Sequence, residues 1–135
     1  MILNDNKSQK KNFSLKDRLK SFKNASNGII TLLRFEHNAR IHLFILIIVI
    51  ITGIFLRVSQ TDWIAILLVS GLVFVSECFN SAVEYISDHV TNVQDENIKK
   101  AKDVAAAGVL ISAIISGITG LIVFLPYILR SLNNR

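Results

Sequence analysis

Apolar residues along this chain fall into three long blocks instead of the interleaving with charge that a soluble domain shows. Residues 41–56 read IHLFILIIVIITGIFL, residues 63–75 read WIAILLVSGLVFV, and residues 104–129 read VAAAGVLISAIISGITGLIVFLPYIL. Among Asp, Glu, Lys, Arg and His, only His42 interrupts them. A helix that crosses a bilayer needs about 20 largely apolar residues. The third block meets that length alone, and the first two reach it by drawing in polar flanking turns. The pattern predicts an all-α membrane protein, one domain over residues 1–135, with spans at about 36–57, 62–88 and 100–129. The same helices in a soluble bundle would have no polar face to turn to water.

Ahead of the first block the pattern changes. Residues 1–12 are polar and read as a disordered terminus. From Ser14 the chain reads SLKDRLKSFKNASNGIITLL, in which Leu15, Leu19, Phe22, Ile29, Ile30 and Leu33 can share a helix face. Lys16, Lys20 and Lys23 lie on or beside the other face, and Ser14 with Asp17 resembles a capping box. An amphipathic helix over about 14–33, lying on the membrane surface, is expected. Gly28 marks a bend or a close contact. The turn at residues 57–62 is short, with Thr61 or Asp62 as the cap of the next helix and Trp63 in an aromatic-belt position. The third block carries Ala105, Gly108, Ser112, Ser116, Gly117 and Gly120, small residues that permit close helix contact in lipid. Pro126 falls near its end.

Charge orients this arrangement. The net charge is +5, and residues 1–40 hold Lys7, Lys10, Lys11, Lys16, Arg18, Lys20, Lys23, Arg34 and Arg40 against Asp5, Asp17 and Glu36. By the positive-inside rule that end is cytoplasmic. Three spans then put the loop with Lys99, Lys100 and Lys102 on the same side, and residues 57–62 and the C-terminal tail outside. Arg130 and Arg135 in the tail pull the other way. The basic run reads as a topological signal with attraction to anionic lipid, and a chain this apolar does not suit nucleic acid. No secretory leader is expected, because the first 40 residues are too polar. Cys78 is the single cysteine, which excludes an internal disulfide; it reads as a packing residue.

Candidate chemistry lies where the second span ends. Glu77, Asn80, Ser81 and Glu84 stand at i, i+3, i+4 and i+7, one helix face, with Asp88 a turn further. Carboxylates in a membrane helix are costly unless paired, hydrated or bound to a cation. In an up-down-up arrangement this end meets the start of the first span, with Glu36 and Arg40, and the start of the third, with Lys102 and Asp103. Glu36 and Arg40 are also spaced to pair with each other, and His42 reads as a polar anchor near the interface. So many acids in one place need a counter-charge. Mg²⁺ bridging carboxylates to phosphate oxygens answers that need, Lys102 adds a point charge, and a remaining carboxylate can take a proton from an alcohol. These are the parts of phosphoryl transfer. No GxxxxGK[ST], GxGxxG, HRD or DFG signature occurs. A small ion- or proton-conducting protein is the alternative; it would carry acids through mid-membrane, and the span interiors hold none.

The stretch ECFNSAVEYISD at 77–88, with AKDVAAA at 101–107 and EHNARIH at 36–42, resembles the bacterial integral-membrane diacylglycerol kinase and undecaprenol kinase family. The resemblance covers roughly residues 22–124. It implies a homotrimer in the bacterial inner membrane, with three spans and a surface helix per subunit and shared active sites at the cytoplasmic face. ATP would be the donor, Mg²⁺ the cofactor and a membrane lipid alcohol the acceptor. By motif position Glu77 looks like the general base, and Glu36 and Glu84 look like the Mg²⁺ ligands. Lys102 and Asp103 look like the nucleotide and phosphate site. Asn80, Ser81, Asp88 and Arg40 look like supports of substrate and site geometry. The diacylglycerol-specific branch carries an acid where His42 stands, which points toward undecaprenol or broad specificity.

Overall fold

The computed structural model describes residues 14–90 and 95–133, which form four helices and no strand. In chain order these are α1 (Leu15–Phe35), α2 (His37–Leu56), α3 (Gln60–Val90) and α4 (Glu96–Asn133). The last three are each long and apolar enough to cross a membrane. The polar terminus at 1–12, the loop residues 91–94 and Arg135 lie outside the described residues.

Each boundary has a local cause. Ser14 starts α1 by accepting the Asp17 N–H on its hydroxyl at 3.3 Å, the expected cap. Glu36 ends that helix and begins the next. Its backbone leaves the helical region (φ −93°, ψ 118°), while its N–H still donates to the Leu32 carbonyl at 2.9 Å. Its side chain makes no capping bond to α2, so the carboxylate is available elsewhere.

At the far end of α2, Arg57 takes a left-handed conformation (φ 52°, ψ 49°), with its N–H on the Ile54 carbonyl and the Val58 N–H on the Gly53 carbonyl. These two bonds make a Schellman motif with Val58 buried behind it. The cap of α3 is neither Thr61 nor Asp62. Ser59 holds that place, because its hydroxyl accepts the Asp62 N–H at 3.2 Å and donates to Asp62 Oδ2 at 2.7 Å. Asp95 caps α4, its Oδ1 accepting from the N–H groups of Asn97 and Ile98.

Packing is tightest at the α2–α3 turn. Val58, Ile66 and Val123 are buried there, flanked by Val49, Leu56, Trp63, Phe124 and Tyr127. The Tyr127 hydroxyl donates to Asp62 Oδ2 at 2.7 Å and accepts the Ser59 N–H at 3.0 Å, which pins α4 to the turn. Trp63 packs closely against α2: a Cβ on Gly53 would sit 2.8 Å from the indole Cη2. The small residues of α4 are used only in part. Ser112 is buried, whereas a Cβ on Gly108, Gly117 or Gly120 would meet nothing within 4 Å. Away from the turn the helices remain open. Only 11 % of the apolar window of α2 is buried, against 28 % for α3 and 17 % for α4.

Gly53 is therefore a close-approach residue. Gly53→Ala should destabilise the protein by about 1–3 kcal/mol through overpacking against Trp63. Gly71→Ala, where a Cβ meets open space, should cost nothing and add helix propensity of up to about 1 kcal/mol. Unfolding midpoints of the two variants in detergent micelles check this pair.

Candidate active site

Helix length sets the depth of the polar stripe. If Trp63 marks one membrane interface, the 21 residues to Glu84 rise about 32 Å, close to the thickness of a hydrocarbon core. Glu84 then lies at the opposite interface, and Glu77, two turns earlier, lies inside the hydrocarbon boundary. The stripe is thus buried at its start and wet at its end. Glu77, Asn80 and Ser81 are all less than a tenth exposed, Glu84 is half-buried, and Asp88 is exposed.

Glu77 is the largest fully buried side chain, at 1 % exposure. The Nε2 atom of His42 stands 3.4 Å from its Oε1, yet the two are not aligned as a hydrogen bond, and Oε1 has no hydrogen-bond partner. Asn80 turns its amide Nδ2 onto Glu84 Oε1 at 2.9 Å, and its own Oδ1 is unpartnered. The Ser81 hydroxyl is buried without a partner as well. From the junction of α1 and α2, Glu36 reaches across to accept the Tyr85 phenol on its Oε1 at 2.6 Å. Ala39, one turn along α2 from Glu36, is fully buried. Lys102, from α4, makes a 2.9 Å ion pair with Asp88.

Three helix ends therefore meet through side chains: α2 with α3 at Glu36–Tyr85 and His42–Glu77, and α3 with α4 at Asp88–Lys102. Two expected members stand apart. Asp103 is exposed and pairs with Lys99 one turn back at 3.8 Å. Arg40 does not pair with Glu36, because the break in the chain at Glu36 takes that carboxylate out of helical register; Arg40 Nη2 lies 3.5 Å from His37 Nδ1 instead. Cys78 is exposed rather than packed.

Two contributors were not legible beforehand. A tyrosine near a membrane interface reads as a belt residue, and nothing local links Tyr85 to an acid 49 positions away. His42 reads as an anchor until α2 is seen to bring it against Glu77.

A divalent cation fits this donor set in a limited way. Among the described residues no three His, Cys, Asp or Glu side chains form a ready-made metal cluster. Mg²⁺ does not require one, since it commonly takes one or two carboxylates and completes its shell with water and phosphate oxygens. Glu36 and Glu84 are suited to that, each oriented by a neutral donor on a single oxygen, Oε1. Lys102 and the partnerless Glu77 oxygen complete a set able to hold phosphate and accept a proton.

The chain is similar to known proteins over most of its length. The sequence profile of the prokaryotic diacylglycerol kinase family matches residues 23–124. The undecaprenol kinase of Bacillus subtilis is 38 % identical over 107 residues, which is 79 % of this chain and 87 % of that protein. A diacylglycerol kinase of Synechocystis is 35 % identical over 112 residues, 82 % of this chain and 64 % of that protein.

Proposed function

The chain belongs to the prokaryotic diacylglycerol kinase family, and from that premise we propose how its site works and on which lipid. The protein is a membrane lipid kinase that uses ATP to phosphorylate a lipid alcohol. Undecaprenol, or a range of alcohols that includes it, is the proposed acceptor. Two things support that choice: the extent of the match to the Bacillus subtilis undecaprenol kinase, and His42 in place of an acid beside Glu77.

One observation carries the mechanistic reading: a buried carboxylate oxygen without a hydrogen-bond partner, on the same face of α3 as Glu84 and beside His42 of α2. Glu77 is the proposed base. Its oxygen takes the proton of the lipid hydroxyl as that hydroxyl attacks the γ-phosphorus, and ADP departs in line. Glu77 suits this role because the lipid hydroxyl arrives from the bilayer, and Glu77 lies on the hydrocarbon side of the stripe. His42 stands beside the carboxylate at 3.4 Å.

Mg²⁺, held by Glu36 and Glu84, would offset the charge of the transferring phosphate. Asn80 fixes Glu84 through its amide. Lys102, kept in place by Asp88, offers its ammonium to the phosphate oxygens. Asp103 lies one residue on and serves the nucleotide from the exposed side. Ser81 and Arg40 are supporting groups, one inside the stripe and one at its rim.

The site is proposed to face the cytoplasm across a bacterial inner membrane, and the basic residues of α1 with Lys99, Lys100 and Lys102 support that orientation. Leu15, Leu19 and Phe22 are each more than 70 % exposed, which supports α1 lying on the membrane with that face down. A single domain that assembles as a homotrimer with shared sites is likewise proposed. Supporting it is the open space beside Gly108 and Gly117, small residues that permit close helix contact in lipid.

Purified protein in detergent should form a phosphorylated product from undecaprenol with ATP and Mg²⁺, and more slowly from diacylglycerol; no product from either lipid removes the reading. Glu77→Gln should lower kcat by about 10²–10⁴-fold without changing the fold, as expected for loss of a general base. Lys102→Ala should raise KM for ATP roughly 10- to 100-fold, the equivalent of one charge-assisted hydrogen bond of about 1.5–3 kcal/mol. Initial rates against ATP concentration measure it.

A further inference from the structure

We propose that Tyr85 is a positioning residue for Glu36, aiming that carboxylate at the same point as Glu84. This rests on the reading of Glu36 and Glu84 as carboxylates that take Mg²⁺.

Glu36 occupies an unusual place for a ligand. It is the only residue between α1 and α2, with a non-helical backbone and no bond from its carboxylate to either helix end. A side chain at such a break has no neighbouring turn to fix its rotamer. The Tyr85 phenol supplies what is missing. Its O–H donates to Glu36 Oε1 at 2.6 Å, inside the range of a charge-assisted O–H···O⁻ bond.

The donor also sits on the right element. Tyr85 directly follows Glu84, and Asn80, the donor to Glu84, is one turn earlier on the same helix. One rigid helix thus carries Glu84, the donor that orients Glu84, and the donor that orients Glu36. The break at Glu36 frees its carboxylate from helical register, and α3 then supplies the donor that fixes it beside the one that fixes Glu84. Both donors engage Oε1. Partners of this kind, one bond removed from a metal, commonly change metal affinity by about 10- to 100-fold when removed.

The phenol has no competing structural duty. Tyr85 is 45 % exposed, and its only side-chain hydrogen bond among the described residues is to Glu36. Tyr85→Phe therefore removes the bond and keeps the ring.

The test uses the full-length protein in detergent micelles. Binding of Mn²⁺ as a probe is followed by electron paramagnetic resonance of the free ion, with a non-hydrolysable ATP analogue present and no lipid. Glu36→Gln and Tyr85→Phe are measured in parallel. Both should weaken Mn²⁺ binding, Tyr85→Phe by about 10- to 100-fold. In turnover assays Tyr85→Phe should raise the apparent KM for Mg²⁺ while leaving KM for the lipid alcohol unchanged, and excess Mg²⁺ should restore its kcat. If Glu36→Gln weakens Mn²⁺ binding and Tyr85→Phe does not, the positioning role is wrong and the metal reading stands. A loss in Tyr85→Phe that excess Mg²⁺ fails to restore also overturns it. If Glu36→Gln itself leaves Mn²⁺ binding intact, the metal reading of Glu36 falls, and this inference with it.

Discussion

A buried carboxylate in a membrane helix is the constraint on which the rest of this structure turns. Desolvating an ionised carboxylate without a partner costs several kcal/mol, and a bilayer offers little water to relieve it. Glu77 is 1 % exposed and one of its oxygens has no partner. Nothing in packing alone favours such a group. The neighbour that the structure gives it is an imidazole, His42 of α2, at 3.4 Å. The unpaired oxygen makes the site a poor contributor to stability.

The two ends of the helical unit are built on opposite principles. At the α2–α3 turn nearly every polar group is satisfied. A Schellman motif closes α2, Ser59 and Asp62 bond each other in both directions, and Tyr127 ties the far helix to both. Trp63 against Gly53 fills the space between. At the other end, buried oxygens of Glu77, Asn80 and Ser81 have no partners, and the cross-helix contacts are single polar bonds. A rigid end anchors the helices, so the polar end keeps its geometry without a tightly packed core of its own.

That asymmetry also explains the exposed apolar surface. Most of the apolar windows of α2, α3 and α4 remain uncovered in a single chain. Lipid tails cover such faces without cost, because in a bilayer there is no hydrophobic force between helices to bury them. Contact is spent on the turn and on α3 against α4, where the buried residues Ile66, Val73, Ser112 and Val123 lie.

Much of this was legible in one dimension. Block lengths determine the three spans, because bilayer thickness leaves few alternatives. Ser14 with Asp17 determines the start of α1. The i, i+3, i+4, i+7 spacing puts Glu77, Asn80, Ser81 and Glu84 on one face whatever their neighbours. Tertiary structure decided what that face meets. The break at Glu36 sends its carboxylate to Tyr85 instead of Arg40, because a residue outside helical geometry loses its i+4 neighbour. Asp88 takes Lys102 while Asp103 turns outward to Lys99, since adjacent positions on α4 point about 100° apart. His42 comes against Glu77 only because α2 packs at that depth along α3. Spacing along a chain defines faces; the contact between faces depends on how the helices cross, and no local pattern records that.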